Sequence, residues 1–170
     1  MPQAFDFRTI PFDPARVDTS GKDVGRRVYW KLYATENLLR VIIHSVLKAQ
    51  IGADWWQAAV ASDIQREAQR QRTRFARRPW HGSAGSHDIY FTTLFQLNEI
   101  LRANSNLFLP VIADVDAWIA KIEQIRLPRN IVGHMNWPST TDRQRVDVIH
   151  ADIHALATYL SQSGLPLSAP

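Results

Sequence analysis

The sequence predicts an all-α protein, an antiparallel bundle of about five to six helices preceded by an extended N-terminal arm. Apolar residues recur at intervals of three and four positions in several segments, which is the period of a helix with one buried face. No segment alternates apolar and polar residues in the way that a half-buried strand does. Proline, glycine or asparagine separates the periodic segments, as expected for the short connections of a bundle.

The chain divides into an arm (residues 1–22), a helical domain (residues 23–164) and a short tail (residues 165–170). The arm contains three prolines without a helical period. Four apolar residues favour an arm that is strapped to the surface, because a free arm would leave them all in water. These residues are Phe5, Phe7, Ile10 and Phe12.

The first predicted helix runs from about Asp23 to Gln50, and Gly52 terminates it. One of its apolar stripes is interrupted by Glu36 and Arg40, which are i,i+4 neighbours in the favourable order. An ion pair on an apolar stripe costs desolvation that seldom returns as stability, which favours a place in a functional cleft. The alternative is an ordinary ion pair at the edge of the bundle.

The second predicted helix is capped by Asp54 and runs from Trp55 to about Arg77, with Pro79 ending it. Its first half is apolar and its second half is strongly basic. Four arginines follow a helical ridge that could track a phosphate backbone. They are Arg66, Arg70, Arg74 and Arg77. The alternatives are a solvated helix face and a surface that docks an acidic partner protein.

Two further helices follow the glycine- and serine-rich loop at residues 81–87. Asp88 is predicted to cap a helix from Ile89 to about Ala103, and the next helix extends over about residues 110–126.

The next predicted helix begins at Pro128, stops before Pro138 and carries the most informative stretch of the chain, Arg129, Asn130 and His134. An imidazole moves protons near neutral pH and a guanidinium binds phosphate oxygens through two bonds, so this pair suits phosphodiester chemistry. Five helical residues place Arg129 and His134 roughly 140° apart around the axis. A cleft between two helices, or between two subunits, would therefore have to bring them together.

The last predicted helix begins with a capping box of Thr141 and Gln144 and ends at Gly164. Its apolar positions step by three and four residues and include Val146, Ile149, Ile153, Leu156 and Leu160.

Histidines on this helix offer the only metal-like spacing. His150 and His154 are i,i+4 neighbours on the face of Asp147, and two such histidines can bind zinc when a third ligand converges. We expect surface histidines and no metal site, because no glutamate follows the first histidine. His81 and His87 in the loop have even less support.

Composition narrows the class of protein. The chain has 170 residues, no cysteine and a net charge of +4. It has no apolar run long enough for a bilayer and no secretion signal at its start, so the sequence predicts a cytoplasmic protein without a membrane partner. Sixteen of the twenty basic residues are arginine. Arginine favours phosphate ligands, although a coding bias towards arginine is the alternative. No nucleotide-binding glycine motif occurs, and we expect no cofactor.

The motif of Arg129, Asn130 and His134 resembles the R-N-x-x-x-H signature of HEPN domains, helical bundles of prokaryotic toxins, phage-defence proteins and RNA-processing enzymes. The segments at 36–40 and 52–56 are similar to the N-terminal helix pattern of one HEPN branch. The resemblance covers roughly residues 25–162 and implies metal-independent RNA cleavage, in which the ribose 2′-hydroxyl attacks the adjacent phosphate. It implies that His134 is the general base or acid, that Arg129 binds the scissile phosphate, and that Asn130 orients one of them.

The same resemblance implies a homodimer in which two copies of the motif meet in one cleft. It implies a toxin–antitoxin or phage-defence setting, with an antitoxin or defence-system partner protein. It also suggests that Glu36 and Arg40 line the cleft of Arg129. The competing function is a non-catalytic HEPN-type module that binds RNA or a protein, since many such domains have lost activity.

Overall fold

The computed structural model describes residues 6–8, 11–82 and 84–170, and within them it contains helices and no strand. The all-α prediction is confirmed. The α-helices in chain order are α1 (Pro14–Val24), α2 (Trp30–Ile51), α3 (Trp55–Ala59), α4 (Ser62–Ala76), α5 (Leu94–Ala103), α6 (Ser105–Phe108), α7 (Val115–Gly133) and α8 (Thr140–Gln162). A π-helical turn, Gly25–Tyr29, joins α1 to α2, and a 3₁₀ turn, Asp88–Phe91, precedes α5.

Helix α2 is the centre of the bundle and packs against α8, α5, α3 and α6, while α7 packs against α5 and α8. Its second half is buried on nearly every side, including Ile43 and Leu47. The core completes around this helix with Trp55, Phe108 and Ile153, which are almost fully buried. None of the described helices combines the length and the apolar character needed to cross a bilayer.

The N-terminal region is more helical than predicted. Residues 14–24 form α1 instead of continuing the extended arm, because Pro14 suits the first turn and Asp13 accepts a hydrogen bond from the N–H of Ala15 at 3.0 Å. Phe7 is partly buried, whereas Phe12 is 66% exposed, so the strapping predicted for Phe12 is wrong. The positions of Phe5 and Ile10 lie outside the described residues.

The predicted helix from Trp55 to Arg77 is divided into α3 and α4. Val60 takes an extended conformation between them and is only 5% exposed, and its carbonyl accepts a bond from Nε2 of Gln65 at 2.7 Å. Burying that valine therefore coincides with the break. Asp54 makes no side-chain capping bond, so the predicted cap is wrong.

The helix predicted to begin after Asp88 starts later. Residues 88–91 form the 3₁₀ turn, which His87 caps, and α5 begins at Leu94. Thr93 and Gln96 form a capping box, in which the Thr93 hydroxyl accepts from the N–H of Gln96 at 3.3 Å. The sequence contained this threonine-x-x-glutamine signal, which competed with Asp88.

Helix α7 runs through Pro128, although the sequence predicted two helices separated at that residue. The proline removes one bond to the carbonyl of Gln124 and costs about 3 kcal/mol. However, the buried face of the helix continues across it through Ile125 and Val132, and each fully buried side chain contributes about 1.5–3 kcal/mol. Continuous packing therefore offsets the proline, and the helix is capped by Asp114.

The last helix begins at Thr140 with a different capping box from the predicted one. Ser139 and Asp142 form it, with the Ser139 hydroxyl donating to Oδ2 of Asp142 at 2.6 Å, while Thr141 and Gln144 do not. The tail packs back onto the bundle, because the N–H of Ser168 donates to Oγ of Ser45 at 3.0 Å.

Candidate functional site

Glu36 joins the two parts of the chain that the sequence singled out. Its Oε1 accepts from Nη2 of Arg40 at 2.5 Å, and its Oε2 accepts from Nε of Arg129 at 3.3 Å. Arg129 lies 93 positions further along the chain, on α7. One carboxylate of α2 therefore holds two guanidinium groups, one from its own helix and one from the facing helix.

Arg40 is the buried member of this trio. It is 8% exposed, and its guanidinium also donates to the carbonyls of Ile89 at 3.3 Å and Thr92 at 2.9 Å and to Oδ1 of Asn37 at 3.0 Å. These bonds tie α2 to the 3₁₀ turn. Its donors are used within the fold, so Arg40 supports the cleft and is not free to bind a ligand.

Arg129 is the accessible member. Its side chain is 36% exposed, and the bond from Nε to Glu36 is its one hydrogen bond to a described residue. The two terminal nitrogens are therefore available to an anion. An arginine that is held at Nε and open at its terminal nitrogens is suited to a bidentate contact with phosphate or carboxylate.

The three residues line a cleft of about 560 Å³ between α2, α7 and the turn before α5. Its remaining walls include Tyr29, Tyr33 and Tyr90. Tyr29 and Tyr33 are largely exposed, whereas Tyr90 is half-buried against the core. Aromatic faces beside a guanidinium are what a planar base or sugar ring packs against, so the cleft fits a ligand with both an anionic and a flat part.

Asn130 and His134 lie outside this cleft. Both side chains are exposed, and neither lines the cleft with Arg129. His134 follows the last residue of α7, and its N–H donates to the carbonyl of Asn130 at 2.9 Å. Within one copy of the chain, Arg129 and His134 therefore do not face the same space, in agreement with their angular separation on a helix.

The turn after His134 is unusual. Met135 has a φ of +59° and is 84% exposed, and the N–H of Asn136 donates to the carbonyl of Ile131 at 2.9 Å. This is a Schellman ending with methionine where glycine is usual, and a side chain in that conformation costs about 1–2 kcal/mol. The motif thus ends in a strained turn that presents His134 and Met135 to solvent.

Two histidines that sequence reasoning overlooked support the other wall of the cleft. His87 stacks on Trp55 with centroids 5.2 Å apart and lies 5.5 Å from His44. Nδ1 of His87 accepts from the N–H of Ile89 at 3.1 Å, the same residue whose carbonyl binds Arg40. His44 gave no sequence signal other than its place in a core-facing helix.

Both histidines are held in the neutral form. Burial lowers the pKa of His44 to about 4, and the neighbouring His87 and Lys48 lower it further by charge. Burial also lowers the pKa of His87, with Asp88 opposing and Arg72 reinforcing the shift. Neither ring nitrogen of His44 has a hydrogen-bond partner in the described part of the chain, so a proton on this ring would be unpaired.

The predicted arginine ridge lies on the exposed face of α4 and the loop after it. Arg70, Arg74 and Arg77 line a groove of about 510 Å³ that is separate from the cleft, whereas Arg66 does not line it and bonds to Oγ of Ser62 at 3.2 Å. Arg78, which the ridge did not include, lines the groove as well.

The histidines of α8 form an aromatic cluster. His150 packs against Trp30 at 4.9 Å and His154 at 4.6 Å, while Asp147 accepts from Nζ of Lys31 at 2.6 Å. Among the described residues, no group of three or more histidines and carboxylates is arranged to hold a metal ion. The loop histidine His81 is exposed beside Trp80.

Comparison with known proteins does not add a family. No protein-family model, no curated protein and no solved structure matches this chain.

Proposed function

We propose that this chain is a metal-independent endoribonuclease of the HEPN type. The observation that carries the proposal is the cleft in which Glu36 holds Arg129, with the terminal nitrogens of Arg129 open to an anion. The arrangement suits a phosphate that Arg129 binds through two bonds while flat groups pack against the tyrosines. A toxin–antitoxin or phage-defence role in the cytoplasm, with an antitoxin or defence-system partner, completes the proposal through the resemblance.

The reaction needs one base and one acid beside the bound phosphate. The base removes the proton of the ribose 2′-hydroxyl, whose oxygen forms a bond to the adjacent phosphorus. The bond from phosphorus to the 5′-oxygen breaks, that oxygen takes a proton from the acid, and a 2′,3′-cyclic phosphate remains. His134 serves as the base or acid, Asn130 orients its ring or the phosphate, and Arg129 stabilises the charge on the phosphate oxygens.

The proposal includes a homodimer, because His134 lies outside the cleft of its own subunit. A two-fold axis repeats every contact in both directions, so His134 of one subunit meets Arg129 of the other at two equivalent sites. Each site then holds one residue from each subunit.

RNA cleavage in EDTA tests the chemistry. We expect His134→Ala to lower the cleavage rate about 10²- to 10⁴-fold, the usual contribution of a general base or acid. His154→Ala, which removes another exposed histidine on α8, is the matched control and should cut like the wild type. Equal cleavage by the wild type and His134→Ala would overturn the nuclease.

Mixing two inactive variants tests the shared site. A heterodimer of Arg129→Ala with His134→Ala has one site with both wild-type residues if the site is built from two subunits, and none if it is built within one. We expect mixing to restore part of the activity. A mixture as inactive as its components would contradict the shared site.

A non-catalytic RNA- or protein-binding module is the second candidate. It is favoured by the exposed place of His134 outside the cleft, since a binding site needs Arg129 alone. This function predicts that no RNA is cut and that Arg129→Ala weakens RNA binding while His134→Ala leaves it unchanged.

A further inference from the structure

The loop end of α4 carries positive charge that the fold does not neutralise. Arg72 pairs with Asp88 at 2.8 Å, and Arg70 pairs with Glu67 at 3.5 Å. In contrast, three arginines form no ion pair with an acidic residue in the described ranges. They are Arg74, Arg77 and Arg78. A cation near the end of a helix favours the helix dipole, but that effect is worth only about 0.3–1 kcal/mol and does not need three adjacent guanidinium groups.

These arginines line two neighbouring grooves. The arginine groove, of about 510 Å³, is lined by Gln69, Arg70, Thr73, Arg74, Arg77 and Arg78. The aromatic groove, of about 360 Å³, is lined by Gln71, Arg74, Phe75, Arg78 and His81. Arg74 and Arg78 belong to both grooves and form the wall between them. One side of this wall is a cluster of phosphate-binding groups, and the other side contains an aromatic ring.

Exposed aromatic residues accompany the charge. Trp80 is 76% exposed and Phe75 is 44% exposed, and the ring of Trp80 lies 6.1 Å from that of His81. An exposed tryptophan contributes little to a core. Bases of a single strand stack on such rings, while guanidinium groups follow the phosphates. An acidic protein would use the arginines but would not need the tryptophan.

The loop after α4 connects these grooves to the cleft of Arg129. His81 lines the aromatic groove, and Ala84 lines the cleft. Three residues of chain span at most about 11 Å, so the two surfaces approach each other closely across this loop. One extended nucleic-acid strand could therefore contact both.

We propose that the arginine groove and Trp80 bind single-stranded RNA beside the segment that enters the cleft. Arg74, Arg77 and Arg78 contact phosphates, and a base stacks on Trp80. This inference rests on the proposed function only for what happens in the cleft, because binding at the grooves needs neither Arg129 nor His134.

Fluorescence anisotropy with a labelled 2′-O-methyl oligouridylate tests the binding, since this probe lacks the 2′-hydroxyl that cleavage consumes. We expect the double variant Arg74→Gln with Arg77→Gln to weaken binding and to lower the slope of log affinity against log salt by about two, one for each lost phosphate contact. The matched control is Arg102→Gln with Arg145→Gln, which changes two exposed arginines elsewhere. It should retain both the affinity and the slope.

Trp80→Ala separates stacking from charge. We expect about tenfold weaker binding at constant salt with the salt slope unchanged, and partial recovery in Trp80→Phe. Circular dichroism of each variant should match the wild type, because all of these side chains are exposed.

Three results would overturn the inference. One is a wild-type chain that does not bind the probe, and another is an arginine double variant that binds like its control. The third is equal binding of polyglutamate with no effect of Trp80→Ala, which would identify an acidic protein as the partner. Loss of cleavage in His134→Ala tests the nuclease alone, so either proposal can fail while the other stands.

Discussion

Arginine serves two opposite purposes in the cleft and in the arginine groove. Arg40 is 8% exposed and donates to Glu36, Asn37 and two backbone carbonyls, so every part of its guanidinium belongs to the fold. Arg74 is exposed and pairs with no acidic residue in the described part. The same side chain is thus a strut in one region and an available cation in the other, and burial with its bonds makes the difference.

Arg129 combines the two situations. Glu36 holds its Nε, as in a structural pair, while its side chain is 36% exposed and its terminal nitrogens remain open. Its orientation is therefore prepared by the fold, and its binding capacity is kept for a ligand. Preorganisation of this kind lowers the entropy lost on binding, which the mobile arginines of the groove must lose in full.

Replacing Arg40 should cause the largest effect. In Arg40→Leu, one carboxylate oxygen of Glu36 and the carbonyls of Ile89 and Thr92 lose a buried donor. Breaking a buried ion pair costs about 3–5 kcal/mol, and we expect a loss of this size in the free energy of unfolding, measured with urea.

Arg74→Leu is the matched control for this variant. An exposed substitution away from any cap or pair should change the free energy of unfolding by less than about 0.5 kcal/mol. Similar losses in Arg40→Leu and Arg74→Leu would show that the contrast between the two regions is false.

Acid should weaken the cleft region through His44. The folded-state pKa of about 4 lies below the ordinary value of 6.5, so the unfolded chain binds more protons between these two values. Stability due to the neutral ring is therefore complete above about pH 6.5 and is lost as the pH falls towards 4. At about 1.4 kcal/mol for each pKa unit, the full loss is about 3 kcal/mol.

The measurement is the difference in unfolding free energy between the wild type and His44→Leu from pH 7 to pH 4.5, because this difference cancels most other titrations. It should shrink or reverse in favour of His44→Leu as the pH falls. A difference that stays constant with pH would contradict the assigned role of His44. His134→Ala, which changes an exposed histidine, should retain the wild-type pH dependence of stability.

The fold class could be predicted because the apolar period of α2, α7 and α8 reports directly on a buried helix face. Boundaries were less predictable, since they depend on competition between signals. Pro128 carries a strong stop signal, yet the buried residues on both sides of it keep α7 continuous. Ser139 and Asp142 satisfied the same capping rule as Thr141 and Gln144, and the sequence offered no basis for choosing between them.

The candidate site was predictable where a residue broke a local pattern. Glu36 and Arg40 interrupt an apolar stripe, and they lie in one cleft with Arg129. His44 and His87 could not be found in this way, because their contact with each other and with Trp55 depends on packing between α2, α3 and a loop. Likewise, the separation of His134 from the cleft depends on where α7 ends.

Gly85 provides the smallest and most local test, because it lies in the loop that joins the two regions. Its φ is +146°, and a Cβ atom there would lie 2.3 Å from the ring of Tyr90, which lines the cleft. Gly85→Ala should cost about 1–3 kcal/mol through backbone strain and displacement of that ring. At Gly82 an added Cβ would meet no heavy atom within 4 Å, so Gly82→Ala is the matched control and should be nearly neutral. Urea unfolding measures both. If the loop positions Tyr90, Gly85→Ala should also weaken RNA binding at the cleft while the salt slope set by Arg74 and Arg77 persists, and equal stability of the two alanine variants would rule that coupling out.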